Sequence, residues 1–383
     1  MEIYFDNAAT TRCCPQAAEF VRRALTEDYG NPSSMHGKGI DAEKYVKDAA
    51  AAIAGSLKAL QKELVFVSGG TEADNLAIFG AAQAMQRRGK HIITTAVEHP
   101  AVMEPMKRLE KLGYELTVLP VNMQGIVEPE TLEAALRPDT ILVSVMYVNN
   151  ETGAVMPVER FSELVHEKSG ALFHVDAVQA YGKYRIHPAR AGIDLLSASG
   201  HKIHGPKGIG FLYIKDGVRI EPQILGGGQQ AGMRSGTDNV PGIAGMAAAV
   251  RESTRDLGEK REYLYALRDR LEAGLRELEN IRINTPSHEL SAPHILNASF
   301  IGIRSEVLLH ALEERGIYVS AGSACSSHKR RPSATLSAMG LEKEEIESAV
   351  RFSFCADNTA QEVDACLDAL KELVPVLRRF SRR

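Results

Sequence analysis

Residues 197–210 read SASGHKIHGPKGIG, with Lys202 set between His201 and His204 in a stretch rich in glycine. A surface lysine needs no such surroundings. A lysine that acts as a nucleophile must be held near an electrophile and partly desolvated, so that its amine loses its proton near neutral pH. Other segments end apolar runs on residues suited to an electrophilic ring. In ELVFVSGGTEADN (63–75) a strand, a glycine turn and a helix follow one another, and the N–H groups at the helix start, with Thr71, could grip an anion. The plainer use of that stretch is a tight strand–helix turn. ALFHVDAVQ (171–179) sets Asp176 and Gln179 at the end of a buried run, where a carboxylate must be paired or hydrogen-bonded. Asp176 either caps a helix or faces a protonated pyridine nitrogen. TTAVEHP (94–100) ends in His99, structural or catalytic, and VNNETG (148–153) offers Asn149 as a polar donor.

Together these residues describe a site for pyridoxal phosphate. The cradle takes the phosphate, Asp176 keeps the ring nitrogen protonated, His99 stacks on the ring, and Lys202 forms a Schiff base with the aldehyde. Ser199 and His201 anchor the cofactor, and the glycines let the backbone pass close to it. Neither a Walker P-loop nor a dinucleotide fingerprint competes. The one near-match, GGGQQAG (226–232), runs into MRSGT and no helix.

The elements that must position these residues alternate. Short β-rich runs at 63–68, 90–97, 114–120, 140–148, 171–178, 193–200 and 208–215 are separated by helical patterns in most of the intervals. That predicts an α/β fold with a mainly parallel sheet between helices, its strands buried on both faces. After about residue 250 the texture changes to one long charged helix over 247–279, strands at HILNASF and IYVSAG, and further helices. This predicts a large domain over 13–253 and a smaller α+β domain formed by 1–12 with 254–383.

The chain has 383 residues, a net charge of -4 and 25% charged residues, so nothing points to nucleic acid as a direct partner. No apolar run approaches a membrane span, and MEIYFDNAAT lacks the basic and apolar regions of a secretory leader. Five irregularly spaced cysteines, 13, 14, 325, 355 and 366, argue against a disulfide framework, and no CxxC pair suggests a metal site. Reduced thiols in the cytoplasm are expected, one of them reactive.

The order YFDNAAT (4–10), GNPSSMH (30–36), SGGTEADN (68–75), Glu98–His99, NNETG (149–153), DAVQ (176–179), SGHKIHGPKGIG (199–210), RSGT (234–237) and SAGSAC (320–325) resembles the cysteine desulfurases related to NifS and IscS. These are class V aminotransferases of the fold-type I pyridoxal-phosphate group. The resemblance implies that Lys202 carries the cofactor and moves the substrate's α-proton, with His99 stacking and serving in acid–base steps. It implies that Asp176 pairs with the ring nitrogen, that Gln179 contacts the phenolic oxygen, and that Gly70, Thr71, Ser199 and His201 hold the phosphate. Thr237 would reach the phosphate of the neighbouring subunit in a homodimer. Asn149 and Arg351 would receive L-cysteine, Arg351 by gripping its carboxylate.

Cys325 decides the reaction, because aminotransferases of this group need no cysteine. Gly322 and nearby serines point to a mobile, exposed loop within about 320–340 rather than a packing role. An ordinary thiol is only a few per cent thiolate at pH 7, a fraction His99 or His328 would raise. Attack on the substrate sulfur gives alanine and a persulfide, which passes to an acceptor: an iron–sulfur scaffold or a tRNA-thiolation enzyme. RRPS (330–333), Gln230–Ala231, FCADNT (354–359) and an early C-terminus depart from the family's pattern and bear on the acceptor. The alternatives are an aminotransferase, a selenocysteine lyase, or a scaffold that has lost the chemistry.

Overall fold

The computed structural model describes residues 2–321 and 332–381, so Cys325 and His328 lie outside the described residues. The chain opens with β1 (Ile3–Tyr4), α1 (Pro15–Thr26) and α2 (Gly37–Leu57). The alternation then runs β2 (Leu64–Val67), α3 (Gly70–Met85), β3 (His91–Thr95), α4 (Pro100–Lys111), β4 (Glu115–Leu119) and α5 (Pro129–Ala135). It continues with β5 (Thr140–Met146), α6 (Val158–Lys168), β6 (Leu172–Asp176), β7 (Leu195–Ser199) and β8 (Gly210–Ile214).

These strands form a seven-stranded sheet in the order β2-β8-β7-β6-β5-β3-β4. Only β8 runs antiparallel to its neighbours, so the mainly parallel sheet expected from the alternation is present. Every residue of β5 is buried, as its unbroken apolar run requires. Side chains alternate between faces: Val65, Val67, Leu142 and Leu212 enter one core, while Phe66, Val143, Phe173 and Phe211 enter the other.

The rest of the chain is α7 (Val240–Thr254), α8 (Leu257–Arg276), β9 (Ile281–Ile283), β10 (Ile295–Phe300), α9 (Ser305–Glu313) and β11 (Ile317–Tyr318). After these come β12 (Ser320–Ala321), α10 (Ala334–Ala338), α11 (Lys343–Glu347), β13 (Ala349–Ser353) and α12 (Ala360–Ser381). An antiparallel sheet, β12-β13-β10-β9, backs a separate apolar cluster that joins Ile3 and Phe5 to Leu264, Leu271, Phe300, Phe352 and Leu370.

Two elements differ from the sequence reading. The single helix expected over 247–279 breaks between Thr254 and Leu257, with Asp256 in the left-handed region at φ 49°. The two halves have different partners: α7 is buried against α1 and α2 in the large domain's cluster, whereas α8 sends Leu264, Leu267, Leu271 and Leu275 into the second cluster. One straight helix cannot face both. The strand expected at IYVSAG splits into β11, parallel to β1, and β12, antiparallel to β13.

Candidate active site

The carboxyl ends of β2, β6 and β7 and the loop after β3 converge, where an open α/β sheet places its ligands. Lys202 closes a short turn, Gly200–Lys202, directly after β7. The loop that follows β1 crosses this turn and fixes it. Thr11 donates from both its N–H and its hydroxyl to the His201 carbonyl, each at 2.9 Å, and its hydroxyl oxygen accepts from His204 N–H at 2.8 Å. Lys202 Nζ donates to the carbonyls of Ala8 at 2.6 Å and Ala9 at 2.8 Å. The amine is thus held by carbonyl oxygens at the mouth of the site.

Asp176, the last residue of β6, is buried, and its carboxylate accepts from Val178 N–H at 2.9 Å. Burial raises its pKa, an effect that the nearby His99 and Lys202 partly oppose. A protonated ring nitrogen would relieve that burial. His99 caps α4, its Nδ1 accepting from Ala101 N–H at 3.1 Å, which leaves the neutral ring's proton on Nε2. Burial lowers the His99 pKa; Lys202 adds to this, and Asp176 opposes it. Gln179 donates to the Ala8 carbonyl at 2.9 Å, while its buried Oε1 has no partner among the described residues.

The N-terminus of α3 has no side-chain cap and is entered through Gly69 at φ 156°. Ser199 faces it: a Cβ on Gly69 would stand 3.7 Å from Ser199 Oγ, and one on Gly70 would stand 2.7 Å from Val178 Cγ2. A side chain at Gly70 would therefore crowd Val178 at the start of α3. His201 is hydrogen-bonded to Thr10 Oγ1 at 3.2 Å, and burial with the charges of Lys202, Lys207 and Lys183 pushes its pKa down to about 4. An uncapped helix start, a neutral histidine, a buried aspartate and a half-used glutamine fit pyridoxal phosphate. Gly70, Thr71, Ser199 and His201 would face its phosphate, Asp176 its nitrogen and Gln179 its phenolic oxygen.

Two residues expected to receive substrate are already engaged. Asn149 is fully buried: its amide donates to Val97 O at 3.1 Å, and its oxygen accepts from the N–H groups of Glu151 and Thr152, each at 2.9 Å. Its oxygen holds its own loop, and its donor ties that loop to the one after β3. Arg351, on β13, donates to Asp6 at 2.8 Å and to Asn150 O at 2.7 Å, while its buried Nε has no partner among the described residues. Thr237 is exposed within its own chain, in a segment tied to α3 by the Arg234–Glu72 ion pair at 2.8 Å. Gln230, one of the departures, bridges Phe66 N–H at 3.0 Å and Asp238 at 2.7 Å.

The profile of the aminotransferase class-V family matches residues 3–366. A cysteine desulfurase of Nostoc sp. is 44% identical over 99% of this chain and 94% of its own length. The cysteine desulfurase IscS of Dictyoglomus turgidum is 42% identical over 99% of this chain and 96% of its own. The chain belongs to the cysteine desulfurases of the class V aminotransferase family. Solved structures agree: a NifS-like protein superposes with a TM-score of 0.93 at 41% identity, covering 98% of this chain and all (100%) of that one. A cysteine desulfurase from Thermococcus onnurineus gives 0.89 at 28% identity, covering 98% and 95%. Desulfurases of this family use pyridoxal phosphate and act on L-cysteine, so cofactor and substrate class agree with the sequence reading.

The structure adds residues that motif reading passed over. Behind Asp176, His174 is hydrogen-bonded to Ser144 Oγ at 2.8 Å and to Ser197 Oγ at 2.9 Å, and lies 3.6 Å from Asp74. Burial pushes the His174 pKa down to about 3 and the Asp74 pKa up, so it disfavours the charged form of each. The period of two in FHVD, which puts His174 and Asp176 on one face, is the signal that could have found it. Glu98 accepts from Thr95 Oγ1 at 2.7 Å and Met146 N–H at 2.9 Å. Glu151 is tied to Ser333, just after the segment outside the described residues. Among the described residues no group of His, Cys, Asp and Glu could hold a metal, and no helix is long and apolar enough to cross a membrane.

Proposed function

We propose that the site around Lys202 takes the sulfur from L-cysteine and passes it to Cys325, releasing L-alanine and leaving a persulfide on the enzyme. The observation that carries this is the convergence of Lys202, His99 and Asp176 on one buried point beside an uncapped α3 N-terminus. Pyridoxal phosphate, when bound, supplies an electrophilic aldehyde and an electron sink for the bond broken at the substrate's α-carbon.

The chain's own residues do the rest. Lys202 Nζ, positioned by the Ala8 and Ala9 carbonyls, is the nucleophile and then the carrier of the α-proton. His99 is neutral at pH 7, with its tautomer fixed by Ala101, so its Nε2 can give and retake a proton at the reacting face. Arg351 offers Nε and the guanidinium edge now facing Asp6 to the substrate carboxylate. The Cys325 thiolate then forms an S–S bond with the substrate sulfur as the carbon–sulfur bond breaks, and the carbon gains the proton that thiol chemistry gave up.

The same reading makes the enzyme a cytoplasmic homodimer in which Thr237 completes the partner's phosphate cradle, and sends the sulfur to a separate acceptor protein serving iron–sulfur clusters or tRNA thiolation. Exposure of Thr237 and of Met35 and Leu225 supports the dimer, and the free thiols of the described cysteines support a reducing compartment. The separate apolar clusters support a division into 13–253 and 1–12 with 254–383.

One turnover of the cofactor-loaded enzyme with L-cysteine and no reductant, followed by intact-mass analysis, tests the reading. One added sulfur mapping to Cys325, with about one alanine per site, is expected. Alanine without sulfur on the chain, or turnover that survives Cys325→Ser unchanged, overturns it.

A further inference from the structure

A cavity of about 900 Å³ has Lys202 in its wall. Of the residues assigned above to cofactor and substrate, only Lys202 lines it. Its walls come from the loop before α1, the residues after Lys202, the junction of α7 and α8, and the turn after β13. Six cations line it, Arg12, Lys183, Lys202, Arg255, Lys260 and Arg261, against two acids, Glu252 and Asp357. The whole chain carries -4, so this concentration is not background.

Glu252 is itself consumed by Arg255 at 2.8 Å and Lys260 at 3.4 Å. Arg12, Lys183 and Arg261 have no ion pair among the described residues: Lys183 donates to the Lys202 carbonyl, and Arg261 lies over the Tyr184 ring at 5.2 Å. Burial, with the charge of Lys202 beside it, lowers the Lys183 pKa to about 7, as expected of a lysine lacking a counter-charge. His294 lines the same space, 1% exposed, with neither ring nitrogen bonded among the described residues. Two helices also begin here. α1 and α8 both contribute first-turn residues to the wall, and neither has a side-chain cap, so both positive helix ends are left open.

We propose that this cavity is a binding site for a small organic anion carrying two or more negative charges. Unpaired cations, two uncapped helix starts and an unsatisfied buried histidine ask for phosphate or carboxylate oxygens, and Ile203, Leu257, Leu264 and Phe354 provide an apolar wall for an organic body. The volume falls within the range of small-molecule pockets. An anion here stands next to Lys183, which holds the carbonyl of Lys202, so occupancy is sensed at the catalytic lysine.

The test is calorimetric titration of the cofactor-loaded enzyme with inorganic pyrophosphate and, separately, citrate; the loaded cofactor keeps both probes out of the α3 cradle. Loading is read independently by absorbance, so failure of the cofactor reading is not mistaken for failure of this one. Saturable one-to-one binding of at least one probe is expected, weakened about tenfold or more by Lys183→Gln and by Arg12→Gln, the loss of one charge-assisted hydrogen bond. Arg12 is exposed, so its variant folds even if the Lys183 variant does not. Lys183→Arg retains binding, and Lys371→Gln, in an exposed pair with Glu277 that does not line the cavity, leaves it unchanged. No saturable binding of either probe in the millimolar range, or binding indifferent to Arg12→Gln, overturns the proposal.

Discussion

Glu98 stands one residue before His99 and is the more deeply buried of the two. One carboxylate oxygen is satisfied by Thr95 and Met146, and the other has no partner among the described residues. Burial therefore pushes its pKa up to about 8 from 4.5, and at pH 7 it is a neutral acid. The unfolded chain loses this proton near pH 4.5 while the folded chain keeps it to about 8, so stability falls as pH rises through that window. The slope is at most about 1.4 kcal/mol per pH unit. Glu98→Gln reproduces the neutral form and removes the slope. The variant is expected to match the wild type in Tm near pH 4.5 and to exceed it increasingly up to pH 8; a difference independent of pH refutes the assignment. The sequence shows His99, Asp176 and Lys202 because each ends an apolar strand or follows one on a glycine turn. It does not show that Glu98 is neutral or that the Asp74 pKa is raised, because desolvation comes from side chains far away in sequence.

Among the elements, α3 is the proposed phosphate cradle, and it is entered through Gly69 and Gly70. A Cβ on Gly70 would stand 2.7 Å from Val178 Cγ2 and 3.7 Å from Ser199 Cβ, so Val178 would have to shift beside the helix start. Gly70→Ala is expected to leave the fold intact, since alanine favours a helical position, while weakening cofactor retention about tenfold or more. Dialysis followed by measurement of the bound cofactor checks it, and unchanged retention places the phosphate elsewhere. The parallel sheet was legible because its strands are continuous apolar runs at regular intervals. The break at Asp256 was not, because the apolar spacing of α7 and α8 runs on as one helical pattern and only the choice of two different cores separates them. The link from Ser333 to Glu151 was invisible for the same reason: it joins α10's cap to the loop after β5, residues remote in sequence.

The whole molecule exposes large apolar side chains where a monomer has no use for them: Tyr29 at 68%, Met35 at 99% and Leu225 at 78%. Thr237 is exposed as well, and no hydrogen bond described joins it to its own chain's candidate cofactor residues. An interface that covers them and delivers Thr237 to the partner's α3 makes each site a product of two chains. That arrangement has a consequence which no monomeric arrangement shares. Lys202→Ala removes the nucleophile from its own chain but keeps a good Thr237, and Thr237→Ala does the reverse. Each homodimer is expected to be inactive or nearly so at limiting cofactor. When the two variants are refolded together, every mixed dimer has one site with both residues intact. Random pairing makes about half the dimers mixed, so about a quarter of wild-type activity should return. Desulfurase activity of the mixture, measured against each variant alone, reads this directly. If the mixture shows only the average of its parts, Thr237 serves its own chain and the shared-site dimer is wrong.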